Sequence, residues 1–171
     1  TAGGGARALV RAGAATQRFE GDAGSVSDFF ITQNGSARRV ILVGTGQGSV
    51  EDYEKLGAAV AARLLTSGET GATIDLSGLV IKPVAESVAR LAAGIVLRGW
   101  RHDVYRTKLP EKQKPTLEAV TIAGAPEGSD AAWANASAVA KGVAFTRELV
   151  TEPANIVYPA SFVERCQKLA E

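Results

Sequence analysis

The feature that most constrains the fold of this chain is an apolar strand that turns at once into a capped helix. The run Val40–Val43 is apolar on both faces, which is typical of a central strand covered on both sides. A glycine-rich turn follows at 44–48, and Ser49 with Asp52 has the spacing of a capping box that opens a helix to about Leu65. This strand–turn–helix pattern favours an α/β domain.

The rest of the chain continues the alternation of strands and helices. We predict that four strands share one sheet, at about 26–31, 40–45, 72–76 and 117–123, with a further short candidate at 79–81. Two helices, at 51–65 and 84–98, would cover this sheet, with Pro83 at the first helical position of the second. The alanine-rich stretch Ala6–Ala15 is either the end of a helix or a short edge element. The predicted fold class is α/β, a three-layer α/β/α sandwich with a mostly parallel central sheet.

The last third of the chain predicts two helices after an exposed connection at 99–116. Ser129 would cap a long helix from Asp130 to about Val150, and Pro153 would end it. A second capping box, Ser161 with Glu164, would open a final helix. That helix carries an apolar stripe, formed by Phe162, Cys166 and Leu169. We expect the stripe either to dock on another molecule or to leave residues 157–171 mobile.

The composition excludes several classes of protein. With 171 residues, 46% of them hydrophobic and 22% charged, the chain can bury a core, and it fits neither a disordered nor a collagen-like protein. Its 19 basic and 18 acidic residues leave a charge of +1, so no overall field favours DNA or an anionic membrane. The single cysteine, Cys166, cannot form an internal disulfide, and no apolar run approaches the roughly 18 residues of a spanning helix. We therefore expect a cytoplasmic protein that is not inserted in a membrane.

The turn Gly44–Ser49 is the strongest general signal for a binding site. Its backbone N–H groups and the following helix N-terminus could hold a phosphate. The glycine spacing departs from the dinucleotide fingerprint, however, and no Lys-Ser/Thr pair follows as in a phosphate-binding P-loop. A plain tight turn is the favoured interpretation, because glycine serves both purposes equally well.

A second candidate is the stretch Trp100–Thr107, which holds the one histidine, His102, beside Asp103. It could form a catalytic or nucleic-acid-binding patch. Neighbouring side chains on an extended segment point to opposite sides, so His102 and Asp103 are poorly placed to act as a pair. A connection whose aromatic side chains pack on a neighbouring element is the favoured interpretation.

Metal binding by this chain has little support, because it lacks a second histidine or cysteine. The acidic residues considered as ligands are better explained by helix ends and surface positions: Asp130, Glu148, Glu152 and Glu164. Cys166 lies on the apolar stripe and is interpreted as a small buried hydrophobic residue, not a nucleophile. We therefore predict no catalytic, cofactor-binding or metal-ligating residue in this chain.

Two stretches carry longer patterns. Ala92–Thr107 fits G-x-x-L-x-x-[YW]-R-x-D-x-Y-[KR]-T through Gly94, Leu97, Trp100, Arg101, Asp103, Tyr105, Arg106 and Thr107. Gly142–Leu169 fits a helix ending R-[DE]-L-[VT]-[NT]-x-P-[AP]-N and then a proline, through Arg147, Glu148, Leu149, Val150, Glu152, Pro153, Ala154, Asn155 and Pro159. Together with Arg38–Gly46, these stretches resemble the leucine aminopeptidase (cytosol aminopeptidase) family, over about residues 16–171. The first resembles a segment of the family's N-terminal domain, and the second resembles its junction with the catalytic domain.

The resemblance implies a macro-domain-like N-terminal α/β domain at 1–128, a connecting helix at 129–151 and the start of a truncated catalytic domain at 152–171. It further implies a metal-dependent peptidase of the cytoplasm, a hexamer that acts on peptides with two divalent ions, zinc or manganese, in the later domain. The family's catalytic residues would all lie in that later domain. Two departures are Thr151, where asparagine is commoner, and the absence of the strand expected before residue 6. A chain that begins with Thr1 and contains no methionine is expected to be a piece of a longer protein.

Two other functions stay open at this point. One is a macro-like module that binds phosphate or ADP-ribose through the Gly44–Ser49 turn, or a platform that binds DNA. The other is a purely structural domain.

Overall fold

The computed structural model describes residues 4–33 and 35–170. Residues 1–3, 34 and 171 lie outside the described residues, and they include the outer ends of the predicted units 1–128 and 152–171. The helices are α1 (Gly4–Thr16), α2 (Val50–Leu64), α3 (Ala85–Gly99), α4 (Ser129–Thr151) and α5 (Pro159–Ala170). The strands are β1 (Val26–Gln33), β2 (Ser36–Val43), β3 (Gly71–Asp75) and β4 (Ala119–Ala123), and a short 3-10 turn lies at Glu111–Gln113. The result is a mixed α/β fold, as predicted.

The strands form two separate pairs, so the prediction of one mostly parallel sheet of four strands is corrected. Within the described ranges, β1 pairs antiparallel with β2, from Val26 opposite Val43 to Gln33 opposite Ser36. The strands β3 and β4 pair in parallel, from Gly71 opposite Ala119 to Asp75 opposite Ala123. The reason lies in the connections: only two residues separate β1 from β2, which permits a hairpin and nothing else, whereas a parallel pair needs a long crossover.

The run Val40–Val43 is half-buried instead of fully covered. In the described part of the chain, β2 has β1 as its one strand partner, so it is not the central strand that its apolar pattern predicted. Ile41 and Val43 still pack against the core from this strand. The apolar pattern therefore indicates that both faces of β2 are partly buried. It does not indicate that β2 lies between two neighbouring strands.

Several element boundaries differ from the prediction. The candidate strand at 79–81 is a turn, and Pro83 precedes the α3 cap, Val84, instead of occupying the first helical position. Gly128 is the N-cap of α4, with Ser129 as its first residue. Ser161 lies inside α5, because Pro159 begins that helix, and its hydroxyl accepts from the Tyr158 N–H and donates to the Ile156 carbonyl. Glu164 pairs with Lys168 and not with a helix cap.

Other elements follow the prediction. The capping box of α2 is formed by Ser49 and Asp52, each accepting from the other's backbone N–H. Helix α3 lies where expected, and α4 ends at Thr151. The connection after α3 is mostly exposed from 104 onwards, as predicted, but 99–103 are half-buried. The stretch Ala6–Ala15 is helical and belongs to α1. No helix among the described residues combines the length and the apolar character needed to cross a membrane.

The core lies between the helix pair α2–α3 and the two strand pairs. Its buried members come from α2, α3 and the residue that follows β3: Tyr53, Leu56, Val60, Leu64, Leu76, Val88 and Leu91. Side chains from both strand pairs pack against it, including Ile41, Val43, Ile74 and Ile122. Both pairs therefore share one core, although no hydrogen-bonded ladder joins them among the residues that the structure describes. The spacing of Val84, Val88, Leu91 and Ile95 predicts one buried face for α3. The last three belong to the core or pack against it, whereas Val84 is 60% exposed.

Two glycines set the distance between α2 and α3. A Cβ built on Gly57 would lie 1.9 Å from the Leu91 carbonyl oxygen, and one on Gly94 would lie 2.1 Å from the Glu54 carbonyl oxygen. Both distances are far below van der Waals contact, and in each case the obstructing atom is helix backbone, which cannot rotate away. The two helices therefore touch backbone to backbone, each through a glycine of its own.

We predict that Gly57→Ala lowers the free energy of unfolding by about 1–3 kcal/mol or more, because the added methyl group forces the helices apart. For a chain of this size the melting temperature should fall by roughly 2–12 °C. The matched control is Gly142→Ala in α4, where a Cβ has no neighbour within 4 Å. That change should stabilise the chain by about 0.5–1 kcal/mol, since alanine is the better helix former. Thermal unfolding followed by circular dichroism measures both, and equal melting temperatures for the two variants would contradict the prediction.

A partly buried ion pair links the β1–β2 hairpin to α2. Asp28 accepts two hydrogen bonds from Arg39, at 2.9 Å from Nε and 2.7 Å from Nη2, and a third from Arg63 on α2 at 2.5 Å. The Asp28 side chain is 15% exposed. The hydrogen bond from Arg39, against the opposing effect of burial and with the help of Arg63, holds the pKa of Asp28 below its ordinary value of 3.8.

We predict a pH-dependent loss of stability in Asp28→Asn. Because the folded-state pKa of Asp28 lies below the unfolded value of 3.8, its contribution is present above that value and is lost as the pH falls through the folded pKa. The melting temperature of the variant should therefore fall below that of the unchanged chain at pH 7, and the gap should narrow towards pH 3. Asp22→Asn, at an exposed position before β1, is the control and should show no such gap. A gap that stays constant from pH 7 to pH 3 would show that the charge of Asp28 contributes nothing.

Candidate functional site

Four of the five backbone N–H groups in the glycine turn at 44–48 donate to acceptors within the chain. Gly46 donates to the Gly21 carbonyl at 3.0 Å, and Gly48 donates to that of Thr45 at 2.9 Å. The Asp52 carboxylate accepts from the N–H groups of Gln47 and Ser49, at 3.1 and 3.3 Å. The carboxylate thus occupies the place where a phosphate would meet these donors. The turn is a structural connection, as favoured from the sequence, and phosphate or ADP-ribose binding there is not supported.

Close packing, and not a ligand, explains the first glycine of this turn. A Cβ on Gly44 would lie 2.0 Å from the Asp22 carbonyl oxygen. Gly44 also exchanges backbone hydrogen bonds with the segment before β1, donating to Ser25 at 2.8 Å and accepting from Gly24 at 3.0 Å. The residue type at 44 is therefore dictated by the neighbouring loop.

The stretch Trp100–Thr107 packs against the end of α4. In the described part of the chain, this junction is the site where buried polar and aromatic side chains make the most contacts with one another. Arg147 of α4 donates from Nη1 to the Leu97 carbonyl oxygen at 2.6 Å, and its guanidinium lies 5.8 Å from the centre of the Trp100 ring. The Trp100 ring stacks on His102, with centroids 6.2 Å apart and planes 16° apart. Tyr105 meets His102 edge to face at 5.7 Å. The aromatic side chains therefore pack on a neighbouring element, as predicted.

Glu152, the C-cap of α4, lies at the centre of the junction, in a group that we call the Glu152 clasp: His102, Tyr105, Glu152 and Arg165. The hydroxyl of Tyr105 donates to Glu152 Oε2. His102 Nε2 lies 3.9 Å from Glu152 Oε1, and Arg165 Nη2 of α5 lies 3.8 Å from the same oxygen. The Glu152 side chain is 7% exposed and that of His102 is 10% exposed. A carboxylate this deeply buried needs such partners, because burial without them is costly.

The clasp corrects one prediction about Glu152. Its helix-end position was predicted, but its surface position was not found, because three elements close over the side chain. Glu148, by contrast, is 49% exposed and pairs with Arg165 at 2.9 Å. The sequence around Glu152, which directly precedes Pro153, does not indicate that this carboxylate is buried. Its burial becomes visible only when the connection packs on α4.

His102 and Asp103 face different partners, in agreement with the interpretation of the sequence. Asp103 is bound by Arg101 and lies 3.4 Å from Arg106, and the hydrogen bond from Arg101 lowers the pKa of Asp103. His102 instead faces Glu152, and within the described residues its Nε2 has no hydrogen-bond partner. No hydroxyl or thiol is hydrogen-bonded to this histidine among the described residues, so the arrangement resembles neither a catalytic triad nor a nucleophile with its base.

The described residues also do not fit a divalent metal centre. Among them no group of three or more His, Cys, Asp or Glu side chains is placed to hold an ion. Asp130 lies in the first turn of α4, and Cys166 is a free, partly buried thiol on α5. That the chain contains no catalytic, cofactor or metal residue stays a prediction.

We predict that Glu152→Gln lowers the pKa of Tyr105. The hydrogen bond to Glu152, then burial and the negative charge of that carboxylate, raise the pKa of Tyr105 above its ordinary value of 10.0. Glutamine removes the charge that opposes tyrosinate, so the pKa should move back towards about 10. Carbon-13 NMR of the tyrosine Cζ atoms against pH measures this. Tyr53 is the internal control, because burial alone raises its pKa, and an equal shift at both tyrosines would contradict the assignment.

The comparisons with known proteins agree with this geometry. A family model described as the N-terminal domain of the cytosol aminopeptidase family matches residues 5–109. A probable cytosol aminopeptidase of Rhodopseudomonas palustris strain TIE-1 is 39% identical over 97% of this chain and 34% of its own length. One of Caulobacter vibrioides is 37% identical over 97% of the chain and 33% of its own length. The chain therefore spans about a third of the length of these curated relatives.

Solved structures give the same result. A mutant of tomato leucine aminopeptidase superposes with a TM-score of 0.78 at 29% identity, covering 96% of this chain and 33% of that one. The bottromycin maturation enzyme BotP in complex with Mn superposes with a TM-score of 0.73 at 25% identity, covering 92% of this chain and 32% of that one. The α/β unit, the junction built on it and these matches lead to one conclusion: the chain belongs to the cytosol aminopeptidase family, whose N-terminal domain it contains.

Proposed function

We propose that this chain is the N-terminal, non-catalytic part of a metal-dependent leucyl aminopeptidase, a hydrolase that releases N-terminal residues from peptides. The observation that carries the proposal is the 39% identity to a probable cytosol aminopeptidase along 97% of the chain. That match extends past the N-terminal family model, which ends at residue 109, and so includes the junction at 147–159.

The proposed role of this part is to hold the connecting helix in place and so to set the direction of the polypeptide that follows it. The position of that polypeptide in turn determines the shape of the assembly and the access of substrate. The contacts of Arg147 with Leu97 and Trp100 support this, because they fix α4 on α3 at the end nearest the junction. The domain boundaries proposed are 1–128 for the α/β domain, 129–151 for the connecting helix and 152–171 for the start of a catalytic domain. The proposal gains support from α5, which contributes no buried residue to the core.

We further propose that in the complete protein the two strand pairs belong to one macro-domain-like, three-layer sandwich. The support is that Ile41 and Val43 from one pair, and Ile74 and Ile122 from the other, pack against the same core. A shared core positions the two pairs as parts of one layer between helices.

The metal ions belong, on this proposal, to the later domain. Two divalent ions, zinc or manganese, are expected there, in line with the manganese of the BotP complex. The residues described here do not fit such a pair, so no step of peptide hydrolysis is assigned to them. A cytoplasmic hexamer acting on peptides is the proposed assembly, and DNA binding has no support from the net charge of +1.

The experiment compares this chain with a longer protein in which it is followed by the remaining two-thirds found in its relatives. We expect release of leucine from leucinamide, in the presence of zinc, manganese, magnesium or cobalt, from the longer protein only. Metal-dependent release by the pure chain alone would contradict the proposal, and so would an inactive, folded longer protein. Calorimetric titration of the chain with ADP-ribose and with duplex DNA tests the alternative functions. We expect no binding of ADP-ribose, because Asp52 accepts from the Gln47 and Ser49 N–H groups, and none of DNA, because the net charge is only +1.

A further inference from the structure

His102 brings a buried, titratable side chain to the junction between the connection after α3 and the end of α4. Its side chain is 10% exposed, and among the residues that the structure describes its Nε2 atom has no hydrogen-bond partner. This atom lies 3.9 Å from Glu152 Oε1, beyond the roughly 2.7–3.2 Å of a hydrogen bond. Most buried polar atoms have a partner, so the charge state of the ring decides whether this contact is satisfied.

Aromatic neighbours hold the His102 ring in place. Trp100 stacks on it, with centroids 6.2 Å apart, and Tyr105 meets it edge to face at 5.7 Å. The Glu152 carboxylate is fixed in turn, since it accepts from the Tyr105 hydroxyl and its side chain is 7% exposed. Neither group can turn into solvent without breaking this packing, so Nε2 and Oε1 stay close together.

The negative charge beside His102 is only partly balanced. On α5, Arg165 lies 2.9 Å from Glu148 and 3.8 Å from Glu152, so one guanidinium is shared by two carboxylates of α4 and its C-cap. The Tyr105 hydroxyl donates to Glu152 without carrying a charge, which leaves one negative charge in excess. An imidazolium at His102 would balance it.

Three cations also lie near this histidine, on the connection and on α4: Arg101, Arg106 and Arg147. The first two pair with Asp103, and the third lies 5.8 Å from the centre of the Trp100 ring. They oppose a positive charge on His102. The Glu152 carboxylate, by contrast, lies next to Nε2 and away from solvent, where a charge acts most strongly. We therefore expect this carboxylate to have the largest influence on the ring.

We propose that protonation of His102 strengthens the attachment of the end of α4 to the connection, which makes the junction pH-dependent. A proton taken up from solvent leaves N–H groups on both ring nitrogens, and Nε2 then donates to Glu152 as an ion pair. Imidazole is the side chain that ordinarily changes its charge between about pH 5 and 8, and this chain has one histidine. The ion pair stabilises the folded state below that range and is lost as the pH rises through it. This contact is independent of the proposed peptidase function.

A double-mutant cycle separates this contact from the effect of burying the ring. The chains compared are the unchanged one, His102→Phe, Glu152→Gln and the double variant, and phenylalanine keeps an aromatic ring at 102. Urea unfolding followed by circular dichroism gives the equilibrium constant of each chain. We expect the coupling between the two residues to be roughly fivefold, about 1 kcal/mol, at about pH 5.5 and less than twofold at about pH 8.

The matched control is the pair Tyr105 and Glu152, which contains the same carboxylate. The hydrogen bond to Glu152 raises the pKa of Tyr105 above its ordinary value of 10.0, so this hydroxyl keeps its proton at both pH values. The coupling between Tyr105→Phe and Glu152→Gln should therefore be equal at about pH 5.5 and about pH 8. A loss of packing changes each cycle equally at both pH values, whereas a proton on His102 makes the first cycle depend on pH.

Carbon-13 NMR of the unchanged chain tests the contact without any substitution. Glutamate carboxylates ordinarily stay ionised between about pH 5.5 and 8, so a change in the Glu152 Cδ resonance over this range reports the titration of a neighbour. We expect this resonance to move in step with those of the His102 ring. The resonance of Glu111, whose side chain is 87% exposed, should stay constant.

Either of two results would overturn the proposal. One is a coupling between His102 and Glu152 that is the same at both pH values. The other is a Glu152 resonance that does not follow the titration of His102. If a variant of the cycle does not fold, the NMR titration of the unchanged chain decides alone.

Discussion

The backbone contact between α2 and α3 is the constraint on which the rest of this structure depends. Because Gly57 and Gly94 present no side chain, the helices approach until each glycine lies under a carbonyl oxygen of its partner. This approach brings Leu56, Val60 and Leu91 into one layer above both strand pairs. Since α4 packs on α3, the spacing of the first two helices also determines where the connecting helix begins.

The junction at the end of α4 illustrates how a polar site can be structural. Glu152 is buried beside a histidine, a tyrosine and an arginine, which is a combination that often indicates catalysis. Here the histidine and the tyrosine come from the connection after α3 and the arginine comes from α5, and no nucleophile is bound to the histidine within the described ranges. The same chemistry that would activate a group in an active site serves to hold three segments together.

The sequence predicts local elements well here and long-range pairing poorly. The capping box of Ser49 and Asp52 and the helix stop at Pro153 are local signals, and the structure confirms both. Strand pairing depends on which segments meet across the core, and the apolar run Val40–Val43 carries no information about its neighbours. A local signal did exist for the hairpin, the Asn-Gly dipeptide at 34–35, which is typical of a two-residue turn. For the junction, the aromatic and charged residues were identified, but the burial of Glu152 follows from tertiary packing alone.

The contact of Arg147 with the end of α3 has a consequence for the evolution of the family. Leu97 O is one of the last carbonyl groups of α3, which lack helical partners, and Arg147 both satisfies it and places a positive charge at the negative end of the helix dipole. The same guanidinium lies over the Trp100 ring. The side chain of Arg147, which belongs to one sequence pattern, therefore contacts two residues of the other pattern, about 50 residues away. Loss of Arg147 in a related protein should accordingly be accompanied by a change at Trp100, because it leaves both the Leu97 carbonyl group and the Trp100 ring without their cation.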